Sequence, residues 1–337
     1  MKKIAAWTVL AMLVCPCLVA AKVKPFATYA DMRQHLGQLI EGQKFTEAEG
    51  VLVRALAQFP DHLLANAYNL AYVRVQLKKY GPALKSLEYG HKKGIFYGSW
   101  DFEAPAFAPL KALKKFPAFA EKNREFIAAA QQQAKLKIEI VTPEGYDAGK
   151  KYPLFLALHG GGGTLDEFKP HWHSQRLKAE FIVAYVQSTQ VAGMNGFHWQ
   201  DPALAARDLA EALRQAGAAY PIDEQRILIG GFSSGGFAAL TVSLKNLLAV
   251  IGFIALCPPL LENVTEEDIR QAARRGIRGT ILTTEMDQRL PGQRQLADDF
   301  SRLGLQYQFV LTPNAGHWYP DDLDRQIDQA IAHIFSR

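Results

Sequence analysis

Serine, histidine and aspartate residues in the second half of the chain have the types and spacing for nucleophilic chemistry. Ser233 lies in Gly231-Phe232-Ser233-Ser234-Gly235, a G-x-S-x-G motif. The apolar run Ile227 to Gly230 precedes it and Phe237-Ala-Ala-Leu-Thr-Val-Ser-Leu244 follows. A neutral hydroxyl attacks a carbonyl only when a neighbouring base takes its proton. Small residues two before and two after the serine let a strand and a helix pass closely, which exposes the hydroxyl at the positive end of the helix. With 26 glycines in the chain the motif alone also fits an ordinary Gly/Ser turn. The flanking strand and helix are what favour a nucleophile. His317, in Asn314-Ala-Gly-His-Trp318, is the expected base and then the acid that protonates the leaving group. Asp287, in Met286-Asp-Gln-Arg-Leu-Pro291, is expected to hold the imidazole tautomer and stabilise its charge. Glu285, Asp321, Asp322 and Asp324 are rivals for that role. Asp287 is preferred because a loop aspartate after the penultimate strand can reach a histidine after the last, whereas Asp321 and Asp322 read as helix-starting residues.

Charge that develops on the attacked carbonyl oxygen needs fixed donors, and backbone N–H groups serve without reorganising. Ser234, directly after the nucleophile, is expected to supply one; Gly161 or Gly162, in His159-Gly-Gly-Gly-Gly163, the other. No lysine follows Gly163 as a phosphate-binding loop would require. His159 reads as structural. His198 and Trp199, in Phe197-His-Trp-Gln200, and Trp318 beside His317 are candidate walls of a substrate pocket. His171-Trp-His173 lacks nearby carboxylates or cysteines, so no metal and no cofactor are expected. Cys257 reads as a buried small residue.

The elements that must position these residues are legible in the periodicity. From Lys135 onward, short apolar strands alternate with helical stretches: Pro153 to Leu158, Phe181 to Val186, Ile227 to Gly230, Ala249 to Leu256, Thr280 to Thr284 and Tyr307 to Leu311 as strands, with helices between. Leu165 to Ala179 reads as one mostly helical stretch. The pattern predicts an α/β fold with a mostly parallel sheet covered on both faces. The candidate residues all fall at carboxyl ends of strands, where such sheets bind ligands. The order Ser233, Asp287, His317, the glycine-rich loop and the serine motif together resemble the α/β-hydrolase superfamily over about residues 135–337. Within it the chain is similar to exported esterases of the feruloyl-esterase, polyhydroxyalkanoate-depolymerase and carboxylesterase/phospholipase type. The resemblance implies hydrolysis of carboxylic esters through an acyl-Ser233 intermediate. A peptidase of the prolyl-oligopeptidase type is the alternative enzyme. A scaffold protein with an inactive hydrolase domain is the alternative outside enzymology.

The first third of the chain is different. Residues 1–21 begin with Lys2 and Lys3, continue as a short apolar run broken by Pro16, and end in Val19-Ala20-Ala21, the pattern of a cleaved secretory leader. The expected destination is therefore periplasmic or secreted, with no membrane span left after cleavage. Of the 3 cysteines only Cys257 would then remain, which leaves no intrachain disulfide. Residues 22–133 read as a small all-α domain and 134–337 as the catalytic domain. Phe45, Ala48 and Leu52 recur about 35 residues later as Tyr80, Ala83 and Leu87, resembling tetratricopeptide repeats. Such repeats imply a possible protein partner. Two repeats cannot bury a core alone, so the segment should pack on something else. A net charge of +5, two of those charges in the leader, gives no basis for nucleic-acid binding.

Overall fold

The computed structural model describes residues 25–98 and 102–336; the expected leader lies outside them. The chain opens with an all-helical region: α1 (Tyr29–Glu41), α2 (Phe45–Gln58), α3 (Leu63–Gln76), α4 (Tyr80–Lys92), the single turn α5 (Ala108–Lys111) and α6 (Phe116–Gln133). Thr28 starts α1 with a reciprocal pair of bonds: its hydroxyl accepts from the Asp31 N–H, and the Asp31 carboxylate accepts from the Thr28 N–H. Two apolar clusters hold the region together. Met32, Leu36, Val51, Leu52 and Leu70 pack α1, α2 and α3. Leu84, Leu87, Phe107, Leu110 and Phe119 pack α4, α5 and α6. Ala48 and Ala83 are both fully buried, as small residues at close helix contacts should be.

The rest of the chain builds a seven-stranded sheet from β1 (Lys137–Val141), β2 (Tyr152–Leu158), β3 (Ile182–Gln187), β6 (Ile222–Phe232), β7 (Gly252–Leu256), β8 (Arg278–Thr284) and β9 (Gln306–Thr312), in the order β1-β3-β2-β6-β7-β8-β9. Only β1 runs antiparallel to its neighbour. Strands β2, β3 and β7 are almost wholly buried, which is why they read as unbroken apolar runs. One face is covered by α9 (Pro202–Ala219), α10 (Ser234–Leu244), α11 (Glu266–Arg274) and α12 (Leu290–Leu303), through Leu209, Leu240, Ile269 and Phe300. The other is covered by α8 (Gln175–Glu180) and α13 (Leu323–Phe335), through Leu177, Ile327 and Ile331.

Three local features depart from the expectation. The stretch from Leu165 is not one helix: α7 (Leu165–Phe168) gives way to a 3₁₀ turn at Lys169–His171 before α8. Pro170 lacks the N–H that would continue α7, and Trp172 turns inward to full burial. Strand β6 begins at Ile222, earlier than its apolar run. Residues 190–198, which carry no strand signal, form a hairpin of β4 (Gln190–Gly193) and β5 (Gly196–His198). Asn195 takes the left-handed conformation in its turn, with φ +58°. This hairpin lies between the helical region and the candidate site.

Candidate active site

Strand β6 ends at Phe232, α10 begins at Ser234, and Ser233 joins them with φ 51° and ψ −112°. A β-carbon at Gly231 would lie 2.6 Å from the Gly235 carbonyl carbon and 2.7 Å from the Leu158 oxygen. One at Gly235 would lie 2.4 Å from the same oxygen. Glycine is thus required on both sides of the serine by backbone, not by flexible side chains. The Ser233 N–H donates to the Leu256 carbonyl (2.8 Å), and its own carbonyl accepts from the Phe237 N–H (2.9 Å). The strained residue is held from both neighbours.

Asp287 follows β8 in a tight turn, its N–H donating to the Thr284 carbonyl at 3.2 Å. His317 follows β9, and the two loops are laced together. Met286 N–H donates to the Ala315 carbonyl (2.9 Å) and the Thr284 hydroxyl to the Gly316 carbonyl (2.7 Å). His317 Nδ1 lies 2.9 Å from Asp287 Oδ2 and Nε2 lies 3.0 Å from Ser233 Oγ. The partners assign the tautomer: Nδ1–H donates to the carboxylate, which leaves Nε2 to accept the serine hydroxyl. The buried Asp287 also accepts from the Arg289 N–H (3.0 Å, Oδ1) and Gln293 Nε2 (3.2 Å, Oδ2). Burial alone would raise this carboxyl; the bonds from Arg289, His317 and Gln293 outweigh it and hold the group below the usual carboxylate range. Three of the four rivals are engaged elsewhere: Glu285 accepts from the Asn314 N–H, Asp322 from Gln326 and Arg325, and Asp324 from the Arg325 N–H.

Ser233 and His317 border a cavity of about 500 Å³ lined also by Gly161, Ser234, His198, Gln200, Phe237, Pro259, Leu260 and Arg289. Gly161 and Ser234 sit side by side: a β-carbon on Gly161 would touch that of Ser234 at 3.5 Å. Gly162 must be taken off the list of oxyanion donors. Its N–H is taken by the Phe197 carbonyl, to which it donates at 2.8 Å. Trp199 must likewise be taken off the list of pocket walls. Its indole is fully buried against His159, at 5.4 Å between centroids, and only its backbone N–H serves the site, by donating to Ser234 Oγ at 2.8 Å. Trp318 is 59% exposed and packs on Phe232, Tyr319 and His171 outside the cavity lining. His198 does line the cavity.

Arg289 is a lining residue that the sequence did not single out. One guanidinium nitrogen lies 3.2 and 3.3 Å from the two ring nitrogens of His317. It stands two residues after Asp287, in a run already quoted for its aspartate, so position was the available signal. Cys257 is fully buried behind the site, and among the described residues Cys257, Asp287 and His317 form the one cluster whose ligand atoms all lie within 4.8 Å. Burial pushes the Cys257 thiol up to about 12, and His317 Nδ1 is committed to Asp287, so this set is a poor metal site. His171 stacks on Tyr319 at 4.5 Å.

His159 pins the glycine-rich loop. Its Nδ1 donates to the Gly160 carbonyl (2.7 Å) and its Nε2 accepts the Ser188 N–H (3.2 Å), so it must be neutral. Burial pushes its pKa down to about 4 from an ordinary 6.5. Below 6.5 the unfolded chain takes up a proton that the folded chain refuses until about 4. Stability should therefore fall as pH drops through that window, by up to about 3 kcal/mol from this residue. His91, His198 and His333 are lowered too and add to the slope. Urea unfolding at pH 7 and pH 5 checks this, with His159→Asn flattening the difference; equal stability at both pH values refutes it.

A family model described as "Alpha/beta hydrolase family" matches residues 155–328, just over half of the chain. No curated protein matches it. A crystal structure of an uncharacterized protein from Bacillus cereus is similar at TM-score 0.50 and 22% identity, over 91% of this chain and 99% of that one. The shared fold therefore extends beyond the sheet. An esterase from Thermogutta terrifontis, Est2, aligns at TM-score 0.46 and 18% identity over 60% of this chain and 86% of its own. Esterase PE8 aligns at TM-score 0.44 and 16% identity over 60% of this chain and 100% of its own.

Proposed function

This chain belongs to the alpha/beta hydrolase family, and from that premise we propose that it is a serine hydrolase of carboxylic esters. The observation that carries the proposal is the continuous line Ser233 Oγ, His317 Nε2, His317 Nδ1, Asp287 Oδ2, with contacts of 3.0 and 2.9 Å, opening on a cavity. In the first half-reaction Ser233 Oγ bonds to the ester carbonyl carbon while its proton passes to His317 Nε2. The carbonyl oxygen becomes an oxyanion facing the N–H groups of Gly161 and Ser234. The C–O bond then breaks, and His317 returns the proton to the departing alkoxide, leaving an acyl-Ser233. In the second half-reaction a water gives a proton to His317 Nε2 as its oxygen bonds to the acyl carbon; the bond from that carbon to Ser233 Oγ then breaks, Oγ takes the proton back from His317, and the acid is released. Asp287 stays ionised throughout and balances the imidazolium. Phe237, Pro259 and Leu260 on the cavity wall suit an apolar acyl or alcohol group.

The leader-like residues 1–21 support export, and no helix among the described residues is long and apolar enough to cross a membrane. The paired helices α1 to α4 support a tetratricopeptide-like reading of the first domain, through which a protein partner would bind.

The test is a fluorophosphonate probe on the purified chain, with the adduct located by peptide mapping, alongside turnover of 4-nitrophenyl acetate and of a peptidyl anilide. A single adduct on Ser233 and faster turnover of the ester are expected. An anilide turned over faster would make the protein a peptidase, and no adduct on folded protein would make it an inactive scaffold.

A further inference from the structure

The helical region meets the hairpin beside the candidate site at Gln131 and at Met194, which packs on the cluster of Tyr97, Phe107 and Phe119. Gln131, in the last turn of α6, meets the backbone of the chain at β4 with both ends of its amide. Nε2 donates to the Thr189 carbonyl (2.8 Å), and Oε1 accepts the Val191 N–H (2.9 Å). The amide thus pairs with β4 as a neighbouring strand would, satisfying edge groups that have no partner strand on that side. The hairpin tip is also closed against the helical region: a β-carbon on Gly193 would lie 2.8 Å from the Gly98 nitrogen.

The other strand of the hairpin holds the glycine-rich loop. Phe197, in β5, accepts the Gly162 N–H (2.8 Å) and donates to the Gly163 carbonyl (3.1 Å). Gly196 packs so closely that a β-carbon there would lie 2.7 Å from the Gly162 oxygen. One residue past the strand, the Trp199 N–H holds Ser234 Oγ. The hairpin therefore touches both segments that carry the proposed oxyanion donors, Gly161 and Ser234.

We infer that Gln131 is a positioning residue: by clamping β4 it sets, through β5, the placement of the glycine-rich loop, so that the helical region is a working part of the active site. This rests on the oxyanion role proposed above for Gly161 and Ser234. A donor displaced by a fraction of an ångström stabilises the transition state less, while substrate binding, which does not use the oxyanion, changes little.

The experiment uses the full chain with Gln131→Met, which keeps the length and loses both bonds, and Gln131→Glu, which keeps the acceptor for Val191. Turnover of 4-nitrophenyl acetate is measured with melting temperature. For Gln131→Met, kcat should fall about tenfold with KM within about twofold of the parent, and Gln131→Glu, whose second carboxylate oxygen opposes the Thr189 carbonyl, should fall at least as far. A kcat within twofold of the parent, or a loss of kcat shared by KM or disappearing on cooling well below the melting temperature, overturns the inference. If Gln131→Met does not fold, Gln131→Glu is judged by the same readings. Fluorophosphonate labelling of the parent separates the two levels. A parent labelled on Ser233 with an indifferent Gln131→Met sinks this inference alone; an unlabelled parent sinks the functional reading and this inference with it.

Discussion

Asp287→Asn is expected to lower kcat for a short acyl ester by about 10³–10⁴-fold, nearly as far as Ser233→Ala. The reason lies in which donors face the carboxylate. Oδ1 receives the Arg289 N–H, a backbone group that cannot turn. Oδ2 receives His317 Nδ1, whose ring can carry its proton on the other nitrogen instead, and the longer contact from Gln293 Nε2, which also donates to the Pro258 carbonyl. An asparagine must give its one carbonyl oxygen to the fixed donor and its NH₂ to the adaptable side. The imidazole then accepts at Nδ1 and carries its proton on Nε2, where it can no longer take the proton of Ser233. The fold survives, because Gln293 keeps its bonds to the Thr283 hydroxyl and the Pro258 carbonyl, and KM should stay within a few-fold. Steady-state kinetics with 4-nitrophenyl acetate and the rate of fluorophosphonate labelling both report the change. A loss smaller than tenfold would mean that another group orients His317, and the role proposed for Asp287 would be abandoned.

Gly235→Ala should be among the most damaging single-methyl changes in the catalytic half of the chain. The added carbon would sit 2.4 Å from the Leu158 oxygen and 2.6 Å from the His159 oxygen. Both are backbone atoms, one at the end of β2 and one just beyond it, so neither can rotate aside. Relief requires α10 to move off β2, which pulls Ser233 from His317 and Ser234 from Gly161. Overpacking of this kind costs about 3 kcal/mol, and a loss of that size lowers the melting temperature by roughly 6–12 °C. Turnover should fall with it even at temperatures where the protein is folded. Gly217→Ala is the control: it lies in α9 with nothing within 4 Å of the added carbon, and it should stabilise by about 0.5–1 kcal/mol. Thermal unfolding of the two variants beside the parent decides the matter. Similar melting temperatures for both would show that the elbow tolerates a side chain and that the close approach of α10 and β2 is not what demands glycine.

Much of this architecture is written in local sequence. The buried strands β2, β3 and β7 read directly as apolar runs, because both faces of each strand are covered and every side chain must be apolar. Helices α2 and α4 begin at Phe45 and Tyr80, the first residues of the pattern that recurs 35 residues on, because polar turn residues precede a clear helical period. The glycines at 231 and 235 announced a strand and a helix passing in contact. The order of Ser233, Asp287 and His317 along the chain, each beyond a strand end, was legible for the same reason.

What the sequence could not determine depends on partners far away along the chain. The β4–β5 hairpin carries too few residues and too many glycines to show a period; its backbone is held by Gln131, Gly163 and, through Gln190, the start of α9. Trp199 looked like a pocket wall because it is aromatic and lies in a loop, but His159 and the core beneath α9 offer it full burial. That the Gly162 N–H is spent on the Phe197 carbonyl depends on a residue 35 positions away and is not visible in a run of four glycines. Arg289 lines the cavity because the turn that opens α12 comes back over His317. Sequence alone determined the elements and the kinds of chemistry they can carry, since propensity and burial pattern act locally. Tertiary structure decided which donors are already engaged, as the Gly162 N–H is by Phe197, because the acceptors lie far away along the chain.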